Sequence, residues 1–316
     1  MTQKKLLVAG SVSVLLILAV VQFFIYRSIK GQMIDYLNQA QIAQARRATA
    51  EIQEYMENSI RTLNLLAEFS EIADLGDRGR RILDNYRRFS PEEIKAVTRV
   101  DPNGRIIYTV PDQGFVGRDI SNQAHIGQAM ETHGVVISDV FTTVQGYRGI
   151  AIHVPVFKGV AYNGTLAFLF SFDRIAQRYI ESIHVGEGGY AWVVSQNGTI
   201  LSSPKPGEIG GDAAQVYRDS PELISMVEEM IQGREGVTSY NINRGEDHPK
   251  EGVLKQAVYM PIPLRNTRWS IAVATPEDEV TASLAGLRVQ LILAAATVMF
   301  CYGVLLFALF RVRSSA

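Results

Sequence analysis

Two charge-free apolar stretches, one near each end, constrain this chain more than any motif inside it. Residues 6–26 read LLVAGSVSVLLILAVVQFFIY and residues 289–310 read VQLILAAATVMFCYGVLLFALF. At about 1.5 Å of rise per residue, a helix of either stretch reaches about 30 Å, the thickness of a bilayer's hydrocarbon core. Lys4 and Lys5 before the first stretch would also suit a cleavable signal peptide, but its apolar core is too long and YRSIKGQM after it offers no small-residue cleavage site. The expected layout is therefore a tail at 1–5, a transmembrane helix at 6–26, an outer region, a linker at 281–288, a second transmembrane helix at 289–310 and a tail at 311–316.

Two spans place both tails on one side of the membrane. The expected orientation has the tails in the cytoplasm and the large segment outside. Flanking charge does little to set it: Lys4, Lys5, Arg311 and Arg313 lie at the outer ends, Arg27, Lys30 and Arg288 at the inner ends. Tails this short leave no room for a kinase, cyclase or HAMP module, so the work is expected outside or within the bilayer.

Composition excludes several functions. With 31 Lys and Arg against 32 Asp and Glu, the net charge is −1, which gives no field for holding nucleic acid. One Cys rules out a disulfide framework and a multi-cysteine metal site. That residue, Cys301, lies in the second apolar stretch, where a thiol packs as a small apolar group.

Between the spans, residues from about 28 to 74 contain no Pro and only Gly31. Ile42, Ala45, Ala48, Ile52, Met56, Ser59, Leu63 and Leu66 recur there every three or four positions. This predicts a long helix with one apolar stripe. Gly76 and Gly79 mark a break, Arg80–Phe89 reads as a second helical segment, and Ser90 is an N-cap candidate for Pro91, Glu92 and Glu93. From Ala96 the pattern becomes strands and turns, and it repeats. TRVDPNGRIIY at 98–108 has a counterpart in WVVSQNGTILS at 192–202, each predicted as a hairpin with a type I′ turn at Asn103-Gly104 or Asn197-Gly198. The glycosylation-like triplets at Asn163 and Asn197 read better as turns. Val135 to Ile137 is echoed by Val237 to Ser239, Val154 to Val156 by Met260 to Ile262, and the strand at 165–172 by that at 269–274. The fold class predicted is α+β: two modules, each with an antiparallel sheet, on a long N-terminal helix.

These residues resemble the double-Cache (dCache) sensor domains of bacterial membrane receptors, two stacked PAS-like modules between two spans. The resemblance covers about residues 30–280 and is carried by VDPNGRIIYTVP at 100–111, GRDIS at 117–121, VPVF at 154–157 and GGYAWVVSQNGTILSSP at 188–204. It implies a stalk at 27–94, a membrane-distal module at 95–185 that holds a small ligand, and a proximal module at 186–280.

Within the distal module the polar and aromatic ligand-site candidates are Gln123, His125, Ser138, Phe141, Thr143, Tyr147 and Arg148, with Phe168 and Phe170 on the following strand. Amino-acid-binding members of the family carry an Arg-x-Trp motif in the helix after the GRDIS-type turn and an Asp in the module's last strand. Here Gln123, Ala124, His125 and Ile126 occupy the first place and Leu169 the second, so a free amino acid is not expected to be held that way. Arg148 is the one basic candidate and would pair with a carboxylate or phosphate, unless Tyr147 and Arg148 form an exposed turn between Gly146 and Gly149. His125 reads as a ligand donor, a pH-sensitive group or a structural histidine. His153 reads as packed in its strand, and His133, His184 and His248 as loop residues. No His pair at helical spacing points to a metal, and no cofactor is implied. In the proximal module, SSPKP at 202–206 lacks the His that relatives often place before the Pro, which argues against a second polar site.

The expected function is a membrane-anchored sensor that binds a small molecule, an organic acid or other metabolite, and relays the change through its spans. It would form the input of a kinase or chemoreceptor system. Partners expected are the membrane, a second copy of the chain through small residues such as Ala294, Ala295 and Ala296, and a separate signalling protein in the membrane. A scaffold with a closed pocket is the alternative. A tethered enzyme has no support from GxSxG, HExxH, paired Asp or P-loop patterns.

Overall fold

A computed structural model of the chain describes residues 3–243 and 252–314. His248 lies outside the described residues. The chain divides into two compact units, residues 1–39 with 276–316, and residues 40–275.

Helix α1 runs Gln3–Ala67. It ends earlier than its periodicity predicts, because Phe69 turns extended and a short α2, Ser70–Asp74, restarts the helix before Leu75 takes a left-handed conformation. Helix α3, Asp77–Phe89, begins earlier than predicted, directly after an extended Gly76. Ser90 does not start a helix. Its Oγ donates to the Arg87 carbonyl at 2.9 Å at the end of α3, and the chain enters strand β1, Ile94–Val100, at once.

The first sheet is completed by β2 (Ile106–Val110), β3 (Val136–Ile137), β4 (Phe141–Thr142), β5 (Arg148–Lys158) and β6 (Ala161–Ser171), with helix α4 (Ala124–Thr132) between β2 and β3. Helix α5 (Phe172–Tyr179) leads to the second sheet, built from β7 (Tyr190–Ser195), β8 (Ile200–Ser202), β9 (Gly236–Asn243), β10 (Gly252–Leu264) and β11 (Thr267–Pro276), with helices α6 (Ala213–Val216) and α7 (Pro221–Ile231) before β9. The chain closes with α8 (Glu277–Ser283) and α9 (Ala285–Ser314). Strand order is β2-β1-β6-β5-β3 in one sheet, with β4 also on β5, and β8-β7-β11-β10-β9 in the other. The two orders are the same path, so the repeat seen in the residues is a repeat of topology.

Both hairpins hold to one turn design, and it is not the predicted type I′. Only Gly104 and Gly198 take positive φ, +82° and +80°; Asn103 and Asn197 do not. Gly104 N–H bonds the Asp101 carbonyl and Gly198 N–H the Ser195 carbonyl, which gives a type I turn closed by a left-handed glycine. The reason is the residue at the turn's start. Asp101 Oδ1 accepts from the backbone N–H groups of Asn103 and Arg105, and Ser195 Oγ accepts from those of Asn197 and Thr199, which fixes the longer turn.

Within residues 40–275, the stripe on α1 is buried as its spacing predicts. Ala45, Ile52, Met56 and Leu63 are at most 1% exposed and share one core with Ile152 and Phe168 of the first sheet and Val258 and Ile271 of the second. Ser59, the polar member of the stripe, donates to the Tyr55 carbonyl one turn back, which lets it sit in the core without an orphaned hydroxyl.

The other unit contains two helical stretches long and apolar enough to cross a membrane, within 10–67 and 277–305, and their most apolar windows are 0% and 6% buried. In it Lys30 Nζ lies 2.6 Å from Glu277 Oε1, Arg288 sits over the Tyr26 ring, and the Gln22 amide donates to the Leu291 carbonyl.

Candidate functional site

Each sheet has one face on α1 and one face turned away, and the two modules treat the second face differently. In the second module it is an apolar core: Trp192, Val194, Tyr240, Ala257 and Ala272 pack against Leu223, Met226 and Met230 of α7. The space left there is about 10 Å³. Its polar groups satisfy one another, with Tyr217 and Ser203 hydroxyls both donating to Glu208 Oε2.

In the first module the same face carries Thr98 from β1, Thr109 from β2, Ala151 and His153 from β5, and Ala167 and Leu169 from β6. Helix α4 contributes His125, with Gln123 just before it, β4 contributes Phe141, the β4–β5 turn contributes Thr143, Val144 and Gln145, and Val100, Ile106 and Ile120 add an apolar side. Together they line a cavity of about 50 Å³. Gln123, His125 and Phe141 also line an adjoining surface groove of about 420 Å³, with Gln128, Ser138, Asp139, Asn197 and Asn266. The His125 and Phe141 rings, 4.6 Å apart, thus stand between an inner cavity and an outer groove.

Polar side chains are set among apolar ones in the cavity lining. Thr98 and Thr109 hydroxyls pair across the strands at 2.9 Å. His153 Nδ1 meets Thr165 Oγ1 at 3.0 Å, and its ring lies 5.3 Å from that of His125. Burial lowers His125 to about 4 and holds His153 well below its ordinary value, the nearby His125 adding to the latter, so both rings are neutral near pH 7. Gln145 Oε1 is buried with no hydrogen-bond partner among the described residues. Burial also raises Asp139 in the groove, where its Oδ1 accepts from the Val140 N–H.

The sequence candidates therefore divide. Gln123, His125, Phe141 and Thr143 face the cavity. Ser138 lies in the groove wall, its Oγ accepting from the Ala151 N–H. Phe168 and Phe170 do not face the cavity: they point to the α1 side, where Phe168 stacks on Tyr86 at 4.9 Å and Phe170 meets Tyr55 edge-on at 5.8 Å. The alternation of side chains along β6 puts Ala167 and Leu169 on the opposite face. Tyr147 is half-buried outside the cavity lining, its hydroxyl pushed up to about 12 by burial. Arg148 also lies away from the cavity, and it is not an exposed turn. Its guanidinium lies over the Phe172 ring, 3.3 Å from Asp173 Oδ1, and donates to the Leu201 carbonyl of the second module. Among the histidines read as loop residues, His184 is exposed and His133 ends α4 in a left-handed conformation, stacked on Tyr162.

Thr98, Thr109 and Gln145 were not candidates from sequence. For the two threonines the signal was present only as parity: Thr98 faces Thr109 in the β1–β2 register, which depends on where the hairpin turns.

Comparison with solved structures agrees with this architecture. The extracellular ligand-binding receptor of Desulfohalobium retbaense matches with a TM-score of 0.60 at 23% identity over 74% of this chain, and the match spans 40% of that longer chain. The ligand-binding domain of the Pseudomonas aeruginosa amino acid chemoreceptor PctB, solved with L-glutamine, matches with a TM-score of 0.59 at 17% identity, over 83% of this chain and 98% of that one. That of the Pseudomonas fluorescens chemoreceptor CtaA, solved with L-serine, gives 0.58 at 17%, over 78% and 99%. No curated protein sequence matches. A family model described as a Cache domain, of the dCache type, matches residues 25–284. With both PAS-like modules, their shared helix and their common strand order inside that span, the chain belongs to the dCache family.

Proposed function

We propose that the chain is a membrane-anchored sensor of a small molecule, acting by binding rather than catalysis. The observation that carries this reading is the contrast between modules: one sheet's outward face is packed down to about 10 Å³ of free space, and its counterpart keeps a cavity of about 50 Å³ lined by both polar and apolar side chains. Solved relatives hold amino acids in domains of this fold, which supports binding as the role of the first module, at 95–185. The second module, at 186–280, would stabilise and transmit. The two apolar helices would anchor the chain twice in a bacterial inner membrane with residues 27–288 outside, as the input of a kinase or chemoreceptor system. A dimer partner and a separate membrane signalling protein belong to the same proposal.

The cavity's size bears on mechanism. At about 50 Å³ it is far smaller than the roughly 300–1,000 Å³ of ordinary small-molecule sites. The adjoining groove, about 420 Å³, falls in that range. A ligand of more than a few atoms would displace Phe141 from His125 and join the two spaces, so that binding selects an opened arrangement. The small cavity also favours the second reading, a scaffold with a closed pocket.

A thermal-shift screen of the full chain in lipid nanodiscs separates the two. A ligand at a hundred times its dissociation constant stabilises its target by about 2.7 kcal/mol. A hit lost in His125→Ala or Thr143→Val is the expected result for a sensor. No hit across organic acids, amino acids, amines, amides, purines and sugars would favour the scaffold.

A further inference from the structure

Resting on the sensor reading, the lining of the same site specifies the kind of molecule it takes. We propose that the cavity binds a small uncharged molecule that both donates and accepts hydrogen bonds, of the amide or alcohol type, in place of a carboxylate, an amine or a free amino acid.

The charges around the site carry the first part of this. Among the described residues, no Asp, Glu, Lys or Arg lines the cavity. Arg148, the basic candidate nearest in sequence, is turned away to Asp173 and the Leu201 carbonyl, and Leu169 lines the cavity with an alkyl group. Asp139 lines the outer groove and not the cavity. A charged ligand group buried here would lose its water with no counter-charge to offset the loss.

The polar groups that remain are neutral and incompletely used. Gln145 Oε1 is a buried acceptor with no donor among the described residues, and leaving such an atom unpaired is costly. Thr143 Oγ1 accepts from the Tyr147 N–H at 3.3 Å, which leaves its proton to give. The Thr98–Thr109 pair uses one hydroxyl proton and keeps the other. The neutral His125 ring, in contact with Phe141 and His153, adds one donor and one acceptor. A molecule with one donor and one acceptor meets both needs, and a carboxylate or an ammonium meets only one.

The test compares isosteric pairs on the full chain in nanodiscs by calorimetry at pH 7.5: acetamide against acetate, nicotinamide against nicotinate, with glycine and ethylamine alongside. Each amide is expected to bind at least about tenfold more tightly than its carboxylate, with glycine and ethylamine weaker still. Gln145→Leu should weaken the amides by roughly five- to tenfold, and Arg148→Ala should leave them unchanged. Should Gln145→Leu not fold, Gln145→Glu serves: the added charge should cost acetamide binding and bring ethylamine into range. Carboxylates or glycine binding as tightly as the amides, with loss in Thr143→Val, would overturn the ligand class and leave the sensor reading intact. Amide binding indifferent to both Gln145 and Thr143 variants would place it elsewhere and overturn the site. Silence from every probe, together with a silent broad screen, would overturn the class and the sensor reading together.

Discussion

Acid should loosen this protein well above the range where its carboxylates titrate, and His125 sets the size of the effect. Its imidazole is 9% exposed, packed on Phe141 and His153, and burial lowers it from 6.5 to about 4. The unfolded chain therefore takes up a proton that the folded chain refuses between those values. The stability this contributes is complete above about pH 6.5 and is lost as pH falls towards 4. At 1.36 kcal/mol per pKa unit, the loss between pH 7 and pH 5 comes to about 2 kcal/mol from His125. For a unit spanning residues 40–275, that corresponds to a melting temperature lower by about 4–8 °C. His153 acts with the same sign. Glu57, Glu71, Glu93 and Asp119 are held below their ordinary values by hydrogen bonds and nearby cations, so they stay ionised through this window. Asp139, raised by burial, opposes the effect, and an Asp139→Asn background removes it. The assay is calorimetric melting of the full chain in nanodiscs at pH 7 and pH 5, with and without His125→Gln. If both proteins lose the same amount, His125 is not the buried neutral ring from which this reasoning starts.

Other substitutions test other parts of the structure. Arg99 is fully buried and donates to the carbonyls of Ile72, Val100, Asn163 and Thr165; Arg99→Met should cost about 3 kcal/mol or more by stranding them, and a denaturation midpoint shift below a third of that would refute the role. Asn266 both donates to and accepts from the backbone of Ile137 at 2.8 Å, tying the second module's hairpin to the first module's edge, so Asn266→Ala should cost about 1–3 kcal/mol. Its neighbour Arg265 makes a two-pronged pair with Glu57, but the side chains are 46% and 41% exposed, and Arg265→Ala should cost under about 1 kcal/mol; the reverse order in urea melts would contradict both assignments. Phe141→Ala removes the wall between cavity and groove and should speed association of nicotinamide-sized probes in stopped-flow measurements, an unchanged rate meaning that Phe141 is not the wall.

How much of this was legible beforehand depends on the range over which each feature is encoded. The apolar helices are local: an uninterrupted charge-free run needs no partner to be recognised. The α1 stripe is nearly so, since Ala45 to Leu66 repeat at the helical period whatever they pack against. The duplicated hairpins announce themselves through Asn-Gly, yet their turn type turned on Asp101 and Ser195, whose side chains accept hydrogen bonds two and four residues on.

The site was decided at longer range. Leu166, Ala167, Phe168, Leu169 and Phe170 are apolar on both faces of β6, so alternation could not say which face meets α1 and which lines a cavity. Tyr55 and Tyr86, brought from other helices, settle that for Phe168 and Phe170. Arg148 could have pointed to either side until Phe172, Asp173 and the Leu201 carbonyl claimed it. Two apolar stretches, the long helix and the repeated α+β unit could be read from the residues alone, because periodicity and turn chemistry act within a few residues. Which polar groups share a cavity was decided only by the tertiary structure, because Thr98, His125, Gln145 and His153 acquire their surroundings from strand register and packing partners far away in the chain.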